Sequence, residues 1–171
     1  WATQEGRPTP NLNAALADAA FVMGLERNAD VVPMECYAPL LVNVSPEDPA
    51  RGYPKAWQWP TNLIGYDALR SFGSASYYAQ VMLGQNKGDR VLPAALNVAP
   101  PSADAAAAGP ATRPAPAPVV ASATYVTATR TIIVKVVNVE KDPVNMTINL
   151  HGAGRVDPAG TASVLTAGDP K

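Results

Sequence analysis

The sequence is poor in most of the residues that announce a chemistry on their own. Cys36 is the one cysteine in 171 residues, which excludes an internal disulfide and any cysteine-rich zinc site. His151 is the one histidine, in a glycine-rich stretch, and alone it supports neither a metal site nor a nucleophile–histidine pair. Charged residues make up 16% of the chain and the net charge is −1, so there is no electrostatic footprint for nucleic acid or for an anionic membrane. No apolar run approaches the ~20 residues of a spanning helix. The chain opens on Trp-Ala-Thr-Gln-Glu, with no initiator Met and no basic-then-apolar leader, the start expected of a processed chain or of a piece of a longer one. No repeat recurs at the periods of solenoids or propellers. What remains is a globular class, 47% apolar, for which no cofactor, metal, nucleic acid or membrane is expected.

What the chain does have is 18 prolines and many alanines, unevenly placed. The stretch 100–118 reads PPSADAAAAGPATRPAPAP and cannot bury enough apolar surface to order itself. A long loop over 99–118 is therefore expected. Upstream of it the rhythm is helical. Thr9-Pro10 predicts a helix start, a hydroxyl cap followed by proline at the first helical position. Leu12, Ala15, Leu16, Ala19, Val22 and Met23 then share one face, and Asn28 suits the C-terminal cap. Residues 31–44 form an apolar, proline-interrupted run that predicts a strand buried on both faces. A second helix is expected from about Ser74, carrying Tyr77, Tyr78, Val81 and Met82, with Asn86 and Gly88 at its end.

Downstream the period changes to two. Residues 144–150 alternate apolar and polar without error, predicting a half-buried antiparallel strand. Residues 131–138 (TIIVKVVN) are more uniformly apolar and suit a central sandwich strand, with Asp142-Pro143 as the turn between the two. Residues 121–125 and 162–166 are weaker strand candidates. The expected fold is an α/β barrel remnant, the last helix–strand–helix units of a (β/α)8 barrel, followed by an antiparallel β-sandwich. The division falls at 1–90 for the barrel portion and 91–171 for a partial sandwich.

Three segments carry a family resemblance: TPNLNAALADAAFVMGLERNADVV running into MECYAPLLVNV, then WQWPTNLIGYDALRSFGSASYYAQVMLGQNKGDRVLP, and last IIVKVVNVEKDPVNMTINLHGAG. Together they resemble the C-terminal part of the α-L-arabinofuranosidases of glycoside hydrolase family 51. Pro33 and Ala68 depart from the residues common there. The resemblance implies a retaining exo-hydrolase that removes terminal arabinofuranosyl residues from arabinan, arabinoxylan or oligosaccharides. Retention needs two carboxyl groups ~5 Å apart, one an acid/base and one a nucleophile. In the family the acid/base is a Glu preceded by Asn after the fourth barrel strand, and the nucleophile is a Glu ending the seventh, commonly in Glu-Trp-Ala or Glu-Tyr-Ala. Since this chain begins Trp1-Ala2, the resemblance places the nucleophile just before Trp1 and the acid/base further upstream. No catalytic residue is expected within the chain.

Four residues stand out as substrate-binding candidates. Trp57, Gln58 and Trp59 form an aromatic–amide cluster in the loop expected after the eighth strand, at the end of a barrel where active sites lie. Aromatic faces stack on sugar rings and an amide reads hydroxyls; the plainer reading is that the tryptophans pack barrel against sandwich. Glu35, in the expected strand, could face the substrate or pair with a basic residue of another strand. Glu5 and Asp67 read as a solvated loop residue and a structural one, Tyr37, Tyr77 and Tyr78 as core or interface, and Cys36 as a buried thiol. Asn43-Val-Ser45 and Asn145-Met-Thr147 match the glycosylation acceptor pattern, but both fall in expected strands and Pro46 follows the first.

The leading function is thus part of an arabinofuranosidase, inactive without the upstream part of the same enzyme. Arabinose-containing glycans and that upstream part are its expected partners, with a homo-oligomer also possible, and a secreted or periplasmic location is favoured. A non-catalytic carbohydrate-binding or structural β-sandwich module is the alternative. The helical first half speaks against it.

Overall fold

The computed structural model describes residues 11–47, 49–52, 56, 62–97 and 118–168. Helix α1 (Leu12–Arg27) leads to strand β1 (Leu41–Asn43) and a 3-10 turn at Pro49–Arg51. Then come β2 (Ile64–Tyr66), β3 (Ser71–Gly73), helix α2 (Ala75–Gln85), β4 (Arg90–Leu92), β5 (Val119–Val126) and β6 (Thr131–Asn138). The strands make two three-stranded sheets, β1-β2-β3 and β4-β5-β6. In the first, β1 runs parallel to β2 with Leu41 opposite Ile64, and β2 runs antiparallel to β3. The second is antiparallel throughout, with Val119 opposite Asn138 and Val126 opposite Thr131.

Both helices form where side chains can satisfy their end groups. Asn11 caps α1, its Oδ1 accepting the Ala14 N–H at 2.9 Å. The helix therefore starts two residues later than a Thr9 cap would have set it; Thr9 and Pro10 lie outside the described residues. Asn28 closes α1 as expected, its side-chain amide donating to the Gly24 carbonyl at 2.8 Å. Ser74 caps α2 as expected, accepting from the Tyr77 N–H at 3.2 Å, and Asn86 closes it by donating to the Met82 carbonyl at 2.8 Å. Past Asn86 the chain runs flush against β5. A Cβ on Gly88 would lie 2.5 Å from the Tyr125 carbonyl oxygen and 2.7 Å from Thr124 Cβ, so only glycine fits there.

The core lies where α1, α2 and the second sheet meet. Ala15, Ala19 and Met23 of α1 pack with Ala79 of α2 and Val137 of β6, and Leu12, Leu16, Leu83, Val120 and Leu165 close around them. The α1 stripe is the one the sequence predicts. On α2 the buried residues are Ser76 and Ala79, whereas Tyr78 is exposed. Small side chains, not the tyrosines, let the two helices approach.

Several expected strands differ. Of residues 31–44 only 41–43 are strand, and Val31, Met34, Leu40 and Leu41 are exposed while Val42 is buried. The run is apolar on both faces, but among the described residues β1 has one hydrogen-bonded neighbour, β2, and its burial is confined to Val42. The strand over 131–138 forms, but as β6 it stands at the sheet edge and β5 is central. Its apolar run serves two faces: Lys135 and Val137 turn inward, and Val134 and Val136 are exposed. Residues 144–150 and 162–166 are not strand. The alternation of Val144, Met146, Ile148 and Leu150 is present, but no strand among the described residues lies beside them, and all four are exposed. Among the described residues the second sheet thus has three strands where four or five are expected, and β4, which opens it, carries no periodic signal in its three residues.

Candidate functional site

Trp57, Gln58 and Trp59 fall outside the described residues. They belong to the connection between β1 and β2, which leaves β1 at its C-terminal end. Glu35 precedes β1 by six positions, outside the strand and exposed. It borders two clefts. The larger, about 490 Å³, lies between α1, the residues after it, the end of α2 and β4; Glu26, Glu35, Lys87, Asp89, Arg90 and Lys135 supply its charged lining. The smaller, about 110 Å³, is bordered by Asp18, Phe21, Glu35, Cys36, Tyr37 and Gln80. Cys36 is exposed, not buried, because the segment that carries it precedes β1 and is not strand.

Two polar groups that sequence reading passed over organise these clefts. The first is buried between α1 and α2: Ser76 Oγ donates to Asp18 Oδ2 at 2.6 Å, and both residues are over nine-tenths buried. The Tyr37 hydroxyl lies beside them. Burial, and after it the Asp18 charge, push its pKa up to about 12, so Tyr37 stays a neutral phenol in any working buffer. The second joins helix to sheet. Lys135 Nζ donates to Glu26 Oε1, and Ser122 Oγ donates to Glu26 Oε2 at 3.0 Å. Arg27 Nη1 adds a bond to the Ala121 carbonyl at 3.2 Å. The signals were in the sequence: Asp18 and Glu26 continue the apolar stripe of α1 at helical spacing, and Lys135 interrupts an apolar strand. A charge in an apolar row marks a buried pair when a partner exists elsewhere.

Asp67 is structural. Its Oδ1 accepts the Leu69 and Arg70 N–H groups at 2.8 Å each and its Oδ2 stands 3.6 Å from the Arg70 guanidinium, which shapes the turn between β2 and β3. Asp89 does similar work for the β5–β6 turn, accepting from Thr127 N and Oγ1 at 2.8 and 2.6 Å. These bonds favour the ionised form, and both carboxyls are held below their ordinary 3.8. A depressed folded-state pKa stabilises the fold above the unfolded value, and that contribution is lost as pH falls through the folded one. Carboxyl NMR titration should therefore give both groups midpoints below 3.8, with the turns loosening only under still more acid conditions. A midpoint at or above that value would contradict the turn geometry.

Among the described residues no group of three or more His, Cys, Asp or Glu side chains is placed to hold a metal ion, and no helix is long and apolar enough to cross a membrane. Asp18, hydrogen-bonded and enclosed, and Glu35, open to solvent, both border the smaller cleft.

The chain belongs to the alpha-L-arabinofuranosidase C-terminal domain family, whose profile matches residues 1–171. It is similar to the probable alpha-L-arabinofuranosidase A of Aspergillus niger, 40% identical over 84 residues, which are 48% of this chain and 12% of that protein. It is 42% identical over 85 residues to the extracellular exo-alpha-L-arabinofuranosidase of Streptomyces chartreusis, covering 50% of this chain and 9% of that one. The fold resembles an arabinose-bound α-L-arabinofuranosidase designated MgGH51, with a TM-score of 0.58 and 30% identity over 78% of this chain and 17% of the other. The family 51 resemblance read from the sequence holds. The chain spans about an eighth or less of the length of the curated relatives named here.

Proposed function

We propose that this chain is the C-terminal part of a retaining exo-α-L-arabinofuranosidase that removes terminal arabinofuranosyl residues from arabinan- or arabinoxylan-type glycans. The family match over the whole chain carries this reading, and the name of the Streptomyces relative supports both the exo-activity and a secreted location. In this reading residues 1–90 complete the catalytic barrel. The packing of α1 on α2 and the parallel pairing of β1 with β2 support this reading, while the antiparallel β2–β3 pair between β1 and α2 is an addition to the repeating barrel unit. Residues 91–171 begin the sandwich. The two catalytic carboxylates come from other parts of the enzyme, and the role of this chain is to close and brace the barrel and to line the sugar site.

The lining is assigned to Trp57, Gln58 and Trp59 because they are the aromatic–amide cluster of the connection that follows β1 in the chain, and barrel enzymes draw their substrate contacts from the segments that follow the strands. Glu35 is the weaker candidate of the four, since it precedes β1. In the complete enzyme, Trp57→Ala and Trp59→Ala should each raise KM for an arabino-oligosaccharide about tenfold, a loss of ~1.4 kcal/mol of binding, with a smaller change in kcat. Wild-type KM in both variants, with the fold intact by circular dichroism, would return the tryptophans to a packing role.

The alternative of a free-standing carbohydrate-binding sandwich finds less support. α1 packs directly on β5 and β6, so helix and sheet share one core.

A further inference from the structure

Two glycosylation acceptor patterns occur in the chain, and the structure separates them. Asn43 lies within β1, partly buried, and its Oδ1 accepts the Ser45 N–H at 2.9 Å. Its side chain is thus engaged by its own backbone, and Pro46 follows directly. Asn145-Met-Thr147 lies in a segment that is not strand, and all three residues are exposed. The expected ladder, which had counted against this acceptor, is not formed.

We propose that Asn145 is an N-glycosylation site. Were the segment to pair as an extended strand in the complete enzyme, Asn145, Thr147 and Asn149 would share one face and Val144, Met146, Ile148 and Leu150 the other. If the apolar row is covered in the complete enzyme, Asn145 and Thr147 still face water. The site is therefore open before and after the sandwich is completed. The reaction joins the Asn145 side-chain amide nitrogen to the anomeric carbon of an oligosaccharide carried on a lipid diphosphate. The carbon–oxygen bond to the diphosphate breaks, the lipid diphosphate leaves, and the amide gives up one proton. Thr147 supplies the hydroxyl that the acceptor pattern requires. A glycan there stands opposite the apolar row, adding a hydrated cover without competing with what packs on the other side. The proposal rests on the secreted location favoured above.

The test separates site from location. The complete enzyme is secreted from a yeast behind a heterologous signal peptide, and its tryptic peptide covering 142–155 is mapped before and after enzymatic removal of N-glycans. The expected result is a glycan on Asn145, read as Asp after removal, lost in Asn145→Gln and in Thr147→Ala, kept in Thr147→Ser, and unaffected in Asn43→Gln. An unmodified 142–155 peptide from properly secreted enzyme would overturn the proposal, as would a glycan that persists in Asn145→Gln. A modified site combined with retention of the enzyme inside its native source would keep the acceptor and strike the secreted reading alone.

Discussion

Replacing Glu26 by Ala in the complete enzyme should destabilise the unit containing α1 and the second sheet by ~3–5 kcal/mol. The Lys135 side chain is 8% exposed and that of Glu26 19%, so the pair is mostly withdrawn from water. Removing Glu26 leaves the buried Lys135 ammonium unpaired where helix meets sheet, at the border of the larger cleft, and takes the acceptor from the Ser122 hydroxyl as well. A whole domain is stable by only ~5–15 kcal/mol, so the loss is large. The pair itself contributes far less than its rupture costs, because bringing two charges out of water offsets most of their attraction. Glu26→Leu combined with Lys135→Met should accordingly recover most of the stability. Urea midpoints followed by hydrogen exchange of the β5 and β6 amides distinguish these outcomes. A single Glu26→Ala change costing under ~1 kcal/mol, the range of exposed ion pairs, would show the pair to be solvated and the helix–sheet contact held by Met23 and Val137 alone.

Residues 11–168 produced without the rest of the enzyme should associate. Val134 and Val136 of β6 and Val144, Met146, Ile148 and Leu150 beyond it are between 38 and 56% exposed. Soluble monomers seldom leave continuous apolar areas above roughly 300–600 Å² open. Among the described residues no strand pairs with the outer edge of β6, which leaves a template for another chain, and β1 likewise has one neighbour among them. Light scattering should report assemblies, and amides of residues 144–150 should exchange quickly while those of β5, bonded on both sides, remain protected. A stable monomer with slow exchange across 144–150 would mean that the segment finds a partner within this chain, and would favour the independent module.

How much of this was legible depended on the range of the interaction. α1 and α2 were readable because caps and apolar stripes are local: Asn28, Ser74 and Asn86 act on groups within four residues of themselves. The inward and outward alternation of residues 131–138 was readable only in part, since TIIVKVVN is apolar on both sides and hides which face is covered. Partners were not readable at all. Nothing in Ile64–Tyr66 announces that it will lie parallel to Leu41–Asn43 across a long connection, and nothing in residues 144–150 says whether a strand waits beside them. The Glu26–Lys135 and Asp18–Ser76 contacts span 109 and 58 positions. Asp18, Glu26 and Lys135 each interrupt an apolar stripe, and the packed structure supplies a partner distant in sequence.

Release of the aryl group from an aryl α-L-arabinofuranoside tests most directly the proposal that this chain completes an arabinofuranosidase whose reacting carboxylates lie elsewhere. Chain free of other polypeptide should give no turnover above background, and the complete enzyme should turn over, since loss of nucleophile and proton donor together removes both halves of the double displacement. Turnover by the pure chain, proportional to its concentration and abolished by Asp18→Asn or Glu35→Gln, would place the catalytic carboxylates within these residues and contradict the account.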